Sequence, residues 1–234
     1  MSLIHTTRPR QRVRRAGTAV AAVAVLAGLA GISPAQAADP VAAACPTGAF
    51  AFTSTLSNGV FKIGKNASST GASGTACGSI AGDGAGGLIS TVAKDNITFA
   101  PTKTKVLFLD LPTTVTPTSD LTGPVVLGAS GIDVTLSGTV NVTTNVLGQK
   151  CSFPLTLNMT TGKSGSLTGA PLVADAATGL QKGKLVAGDF TVPKLKASKT
   201  CNIIIAEVTN GLLGLPLKSG ASSATFDLSL KLGV

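Results

Sequence analysis

Three stretches of strict period-two alternation restrict this chain more than any other feature. In 132–143, Ile132, Val134, Leu136, Val140 and Val142 share one parity, against Asp133, Thr135, Ser137, Thr139, Asn141 and Thr143. Further on, Cys151, Phe153, Leu155, Leu157 and Met159 oppose Ser152, Thr156, Asn158 and Thr160. Near the end, Ala224, Phe226, Leu228, Leu230 and Leu232 oppose Thr225, Asp227, Ser229 and Lys231. Successive side chains point to opposite faces of a strand, so each stretch predicts an antiparallel strand with one face on a core and one in water. The 27 threonines beyond residue 37 suit the outward faces of such strands.

Weaker strand patterns cover 49–54, 58–63, 88–93, 104–109, 123–128 and 184–192, punctuated by Gly, Pro, Asn and Asp. That spacing predicts an all-β fold, an antiparallel β-sandwich with Greek-key-like connections. Pro154 stands on the polar parity of a strong strand, and proline cannot donate to a ladder, so that strand is expected at an edge or at a bulge. The Gly-rich stretch 79–87 reads as a loop and lacks the residues of a phosphate-binding loop. Residues 202–213 are β-branched, yet Asn202 suits a helix N-cap, Ile204, Val208 and Leu212 recur at i+4, and Asn210-Gly211 offers a stop. One short helix is therefore expected there, crossing the end of the sandwich. The Pro-Thr run 112–119 resembles a linker, but one domain over 45–234 accommodates the length.

The N-terminus predicts export. A basic start reaching Arg15, an apolar run over 16–32 and Ala35-Gln36-Ala37 make a signal peptide over 1–37, followed by a flexible segment, 38–44. Beyond it no apolar stretch approaches membrane-spanning length. The four cysteines, Cys45, Cys77, Cys151 and Cys201, are an even set without a C-x-x-C pair, and an oxidising compartment would join them. Three connectivities are possible. Neighbouring pairs, Cys45–Cys77 and Cys151–Cys201, fit sequential hairpins and are the expected two disulfides.

The same division decides which chemistry is open. All five arginines and the single histidine fall within 1–37, and the chain has no Trp or Tyr. The remaining residues carry 14 lysines against 10 acids. A Ser-His or Cys-His arrangement cannot be built, a zinc or calcium site has no ligand pattern, and no cofactor is implied. Nucleic acid is a poor partner for such a surface. Lys163-Ser164 and Lys218-Ser219 are formal Ser–Lys pairs in polar turns where lysine stays protonated. Glu207, the only glutamate, lies in the most apolar segment, either buried with a raised pKa or on the solvent side of the helix. Lys103/Lys105, Lys182/Lys184 and Lys194/Lys196 recur at i, i+2, and Lys182, Lys184, Lys194, Lys196 and Lys199 form a candidate polyanion-binding strip. The competing role for these lysines is protection of an exposed strand edge.

Cys151-Ser-Phe-Pro-Leu-Thr-Leu157, Leu167-Thr-Gly-Ala-Pro171, Leu185-Val-Ala-Gly-Asp-Phe-Thr-Val-Pro193, Cys201 and the closing strand 223–232 together resemble an uncharacterised family of secreted actinobacterial β-sandwich proteins. The resemblance implies a disulfide-bonded exported domain, often at the cell surface, with no activity attached. The expectation is a secreted, extracellular or envelope-associated non-enzymatic protein. It would bind an anionic cell-envelope polymer, a lipid or a surface protein. The rival reading is a small secreted hydrolase using carboxylates or a Ser–Lys pair.

Overall fold

The structure is a computed structural model that describes residues 44–233. The signal-peptide reading of 1–37 and all but the last residue of 38–44 lie outside the described residues. The three alternating stretches form β8 (Gly131–Val146), β9 (Gln149–Thr160) and β14 (Ser223–Leu232). Every inward position of β9 is buried, from Cys151 to Met159, and Ala224, Phe226, Leu228 and Leu230 of β14 are buried likewise. Leu232 runs past the core and is exposed. The other long strands are β1 (Ala51–Ile63) and β2 (Ala67–Gly82). Shorter strands follow: β3 (Leu88–Val92), β4 (Ile97–Phe99), β5 (Thr102–Val106), β6 (Leu109–Pro117), β7 (Leu121–Gly128), β10 (Lys163–Ser164), β11 (Leu167–Thr168), β12 (Ala170–Asp175) and β13 (Leu180–Ala187). The one helix of more than a single turn among the described residues is α1 (Ile203–Leu213).

All pairings are antiparallel, and they close on themselves. β14 lies between β1 and β13, and β12 joins β13 to β8. On the other layer β5 and β6 link β2 to β8 over one half of their length, and β3 and β7 link them over the other half. The two 16-residue strands β2 and β8 are thus the seams of the sandwich. The connections have the Greek-key character expected, since β7 lies beside β3 although three strands intervene, and the first and last strands pair. The ring of Phe226 on β14 meets Phe61 on the neighbouring β1 at 5.3 Å and Phe99 on β4 at 6.3 Å. β9 pairs with β8 along its whole length but meets β13 only at Thr160, so Pro154 sits on a free edge, as its missing N–H requires.

The pattern misplaced several boundaries. The candidate strands 49–54 and 58–63 are one strand, β1, with a bulge at Asn58-Gly59. A side chain at Gly59 would collide with the Phe226 ring, so glycine lets that ring lie against the β1 backbone. The stretch 104–109 is split by a turn at Leu107-Phe108, and 184–192 leaves the sheet after Ala187. The larger correction is β2. In the sequence its Ser79–Gly82 end reads as loop and its remainder as no strand at all, because Ala, Ser, Gly and Thr show no amphipathic contrast. Small side chains are what the position needs: a Cβ at Gly78 would run into the carbonyl oxygen of Thr91 and the Phe52 ring. The 112–119 run is mostly strand, not linker.

Both expected disulfides form, and all four cysteines are paired. Cys45–Cys77 ties the segment before β1 to β2, with Cα atoms 5.6 Å apart. Cys151–Cys201 spans 50 residues and ties the residue before the α1 cap to β9.

Candidate functional site

One end of the sandwich gathers features that the sequence scattered. Helix α1 begins at Asn202, whose side chain accepts from the Ile205 N–H at 2.9 Å, and ends at Gly214 in the left-handed region. The helix runs through Asn210-Gly211 instead of stopping there. The reason is tertiary: the Asn210 carboxamide is buried, accepting from Leu195 N–H at 2.8 Å and donating to the Leu195 carbonyl at 3.0 Å. Ala206, Thr209, Asn210 and Leu213 form the buried face, at helical spacing. Leu213 closes the sandwich over Ile63, Val106, Leu111 and Val142.

This packing turns the most apolar side of the helix outward. Ile203 and Ile204 are 66% and 70% exposed, Val208 is exposed, and of the i+4 stripe only Leu212 is half-buried. Two strand turns reach the same end. The β8–β9 turn presents Leu147, 83% exposed, and the neighbouring Gln149 side chain accepts from Asn202 N–H at 2.7 Å. The β5–β6 turn presents Leu107 and Phe108, the latter 85% exposed. Leu107 N–H donates to the Asn66 carbonyl, and the Asn66 amide donates to the Leu212 carbonyl at 3.1 Å, which joins this turn and the β1–β2 turn to the helix C-terminus. Leu107 and Leu147 both hold positive φ, 55° and 50°. An L-residue in that region is disfavoured by roughly 1–2 kcal/mol, and glycine or asparagine is the usual occupant.

Charge is arranged along the same axis. Lys65, Lys105, Lys150, Lys194, Lys196, Lys199 and Lys218 are exposed on the turns and segment around this end. The acids among them are Glu207, paired with Lys194 at 3.0 Å, and Asp110, opposite Lys105 in register. Glu207 is therefore the solvent-facing residue of the helix, not a buried acid. At the far end Asp83, Asp133 and Asp175 lie on or beside the β2–β3, β7–β8 and β12–β13 turns. The five lysines of the candidate strip divide accordingly. Lys194, Lys196 and Lys199 flank the helix, whereas Lys182 pairs with Asp175 near the far end and Lys184 lies opposite Asp227. The five therefore fall into two groups, and Lys65, Lys105, Lys150 and Lys218, which the strip leaves out, join the helix-end group because only the topology brings their segments together.

Other sites offer less. The interior void, about 50 Å³ and lined by Phe52, Leu56, Val92, Val125 and Leu228 among others, is far below the roughly 300 Å³ of a small-molecule site. An open groove of about 370 Å³ beside Cys45–Cys77 holds hydroxyls, Asn96 and one carboxylate, Asp95, where glycoside hydrolysis calls for two. Ser164 accepts from Gly188 N–H through its hydroxyl oxygen while Lys163 is exposed, and Lys218 and Ser219 are both exposed. No helix among the described residues is long and apolar enough to cross a membrane. Comparison with known proteins finds no family model, no curated protein and no solved structure that matches this chain.

Proposed function

We propose that this chain is an exported, non-enzymatic binding module that holds an anionic cell-envelope surface through its helix-capped end. Two disulfides fit an extracellular protein, since such bonds persist in oxidising compartments. The observation that carries the reading is the gathering of lysines from five separate chain segments at one end, with acids on or beside turns at the other. A contiguous basic surface steers and holds polyanions, whereas charges farther apart than the Debye length of about 8 Å act singly. The test is capture of the purified mature protein by isolated bacterial envelope material over a salt series. Capture is expected to fall steeply with salt and on replacing Lys150, Lys196 and Lys199 together with Gln, while Lys182→Gln with Lys184→Gln leaves it unchanged. Capture indifferent to salt and to the three helix-end lysines would sink the reading.

A further inference from the structure

From the same end of the molecule we infer that the surface it meets is an anionic lipid bilayer, entered shallowly by Phe108, Leu147 and the outward face of α1. The inference rests on the proposed function and specifies its partner. A polyanion held by lysines alone leaves the apolar side chains unexplained. Leu107, Phe108, Leu147, Ile203, Ile204 and Val208 are exposed at one end, on two turn tips and a helix that neighbour one another through Asn66, Gln149 and the Cys151–Cys201 bond. Turn tips in water are normally Gly, Asn or Asp, and two leucines stand here in the left-handed conformation those residues favour. The helix is held by the buried Asn210 carboxamide on Leu195 and by the buried Ala206 and Leu213, with Ile205 half-buried against the core, which leaves Ile203 and Ile204 free for a different solvent.

The arrangement of charge selects among apolar partners. Apolar groups surrounded by lysine ammonium groups match the acyl boundary and the head groups of an anionic leaflet, where each added lysine and each buried methylene strengthens binding. A protein partner would need a matched acidic rim of fixed shape; a fluid leaflet supplies negative charge at any spacing. The far end is the internal control, with exposed Val126, Leu127 and Val173 set beside Asp133 and Asp175. Its apolar surface is set among acids, with Lys182 already paired to Asp175, so it is not expected to enter the same leaflet.

The chain has no Trp or Tyr, so one introduced indole reports on one place. The Phe108→Trp and Leu127→Trp variants are mixed with vesicles of equimolar phosphatidylglycerol and phosphatidylcholine, and with phosphatidylcholine alone. Phe108→Trp fluorescence is expected to shift blue and to be quenched by lipids brominated near the head group, only in the anionic vesicles; Leu127→Trp stays unquenched. Phe108→Ser with Leu147→Ser, whose fold is checked by circular dichroism, is expected to weaken vesicle partition by about tenfold or more. Vesicle binding with neither quenching nor loss in the double variant would show that lysines alone touch head groups, and would overturn insertion. No vesicle binding, together with lysine-dependent capture by lipid-stripped envelope polymer, would overturn the lipid partner and leave the proposed function standing. Failure on both vesicles and whole envelope would remove that function too.

Discussion

The two ends of this sandwich close their turns by different means. At the far end the closure is local and polar. Asp83 accepts from the Ala85 and Gly87 amides of its own turn, both at 2.8 Å, and these bonds lower its pKa. Asp175 accepts from Ala177 N–H and the Thr178 hydroxyl, and pairs with Lys182. At the helix-capped end closure is long-range. Asn66 reaches α1 across 146 residues of sequence, Gln149 reaches it across 53, and the turn tips themselves are leucines and a phenylalanine. A turn that satisfies itself leaves nothing for a partner. A turn held from behind by a helix presents its tip, and here Leu107 and Leu147 hold positive φ where glycine or asparagine is the usual occupant.

The largest expected difference between the ends lies in the disulfides. Replacing Cys151 and Cys201 with Ser removes a 50-residue loop constraint, about 4 kcal/mol in the loop-entropy model. Because that bond anchors the start of α1, amide exchange should accelerate throughout 203–213 before it does in β12, β13 or their turn. Uniform acceleration at both ends would show that the helix end is no separate unit. Next comes Asn210→Ala, which strands the buried Leu195 N–H and carbonyl and should cost about 2 kcal/mol in a denaturant titration. Asp83→Ala, by contrast, should barely move the midpoint, because its partners are exposed and turn to water.

A smaller effect of opposite sign is expected at the tips. Leu107→Asn and Leu147→Asn should each raise stability by up to about 1 kcal/mol, since asparagine tolerates the left-handed region that leucine resists. The measurement is a pair of denaturant midpoints, and a loss of stability would mean that the leucines pack better than their exposure implies. The smallest effect concerns acid at the far end. The pKa of Asp175 is lowered from 3.8 to about 2, first by the bond from Lys182 and then by those from Thr178 and Ala177. A lowered carboxylate pKa stabilises fully above the ordinary value and is lost as pH falls through about 2. Carboxyl carbon shifts should therefore place the Asp175 midpoint near 2, and Lys182→Met should move it up toward 3.8.

Local chemistry made part of this molecule readable in advance. Alternation in β8, β9 and β14 assigns each residue to a face because the strand period is two, whatever the strand's neighbours are. Pro154 marks an edge because the missing donor is a property of proline itself. Asn202 starts α1 because a cap bonds within its own first turn, and the even cysteine set pairs as neighbouring strands suggest. What stayed hidden depends on atoms distant in sequence. β2 is a strand because β1, β3, β4 and β5 pack against its backbone, and its small residues make that approach possible without leaving a period to read. The i+4 stripe of α1 is visible in the sequence, but its outward direction is set by Asn210 finding Leu195 and by Leu213 finding the end of the core. The lysines likewise have their number and sign in the sequence, while turns from β1–β2, β5–β6 and β8–β9 meet at one end only because the strands between them pair. Periodicity, capping and side-chain chemistry act over a few residues and so belong to the sequence; which surfaces face a partner follows from long-range packing, and that only the tertiary structure decides.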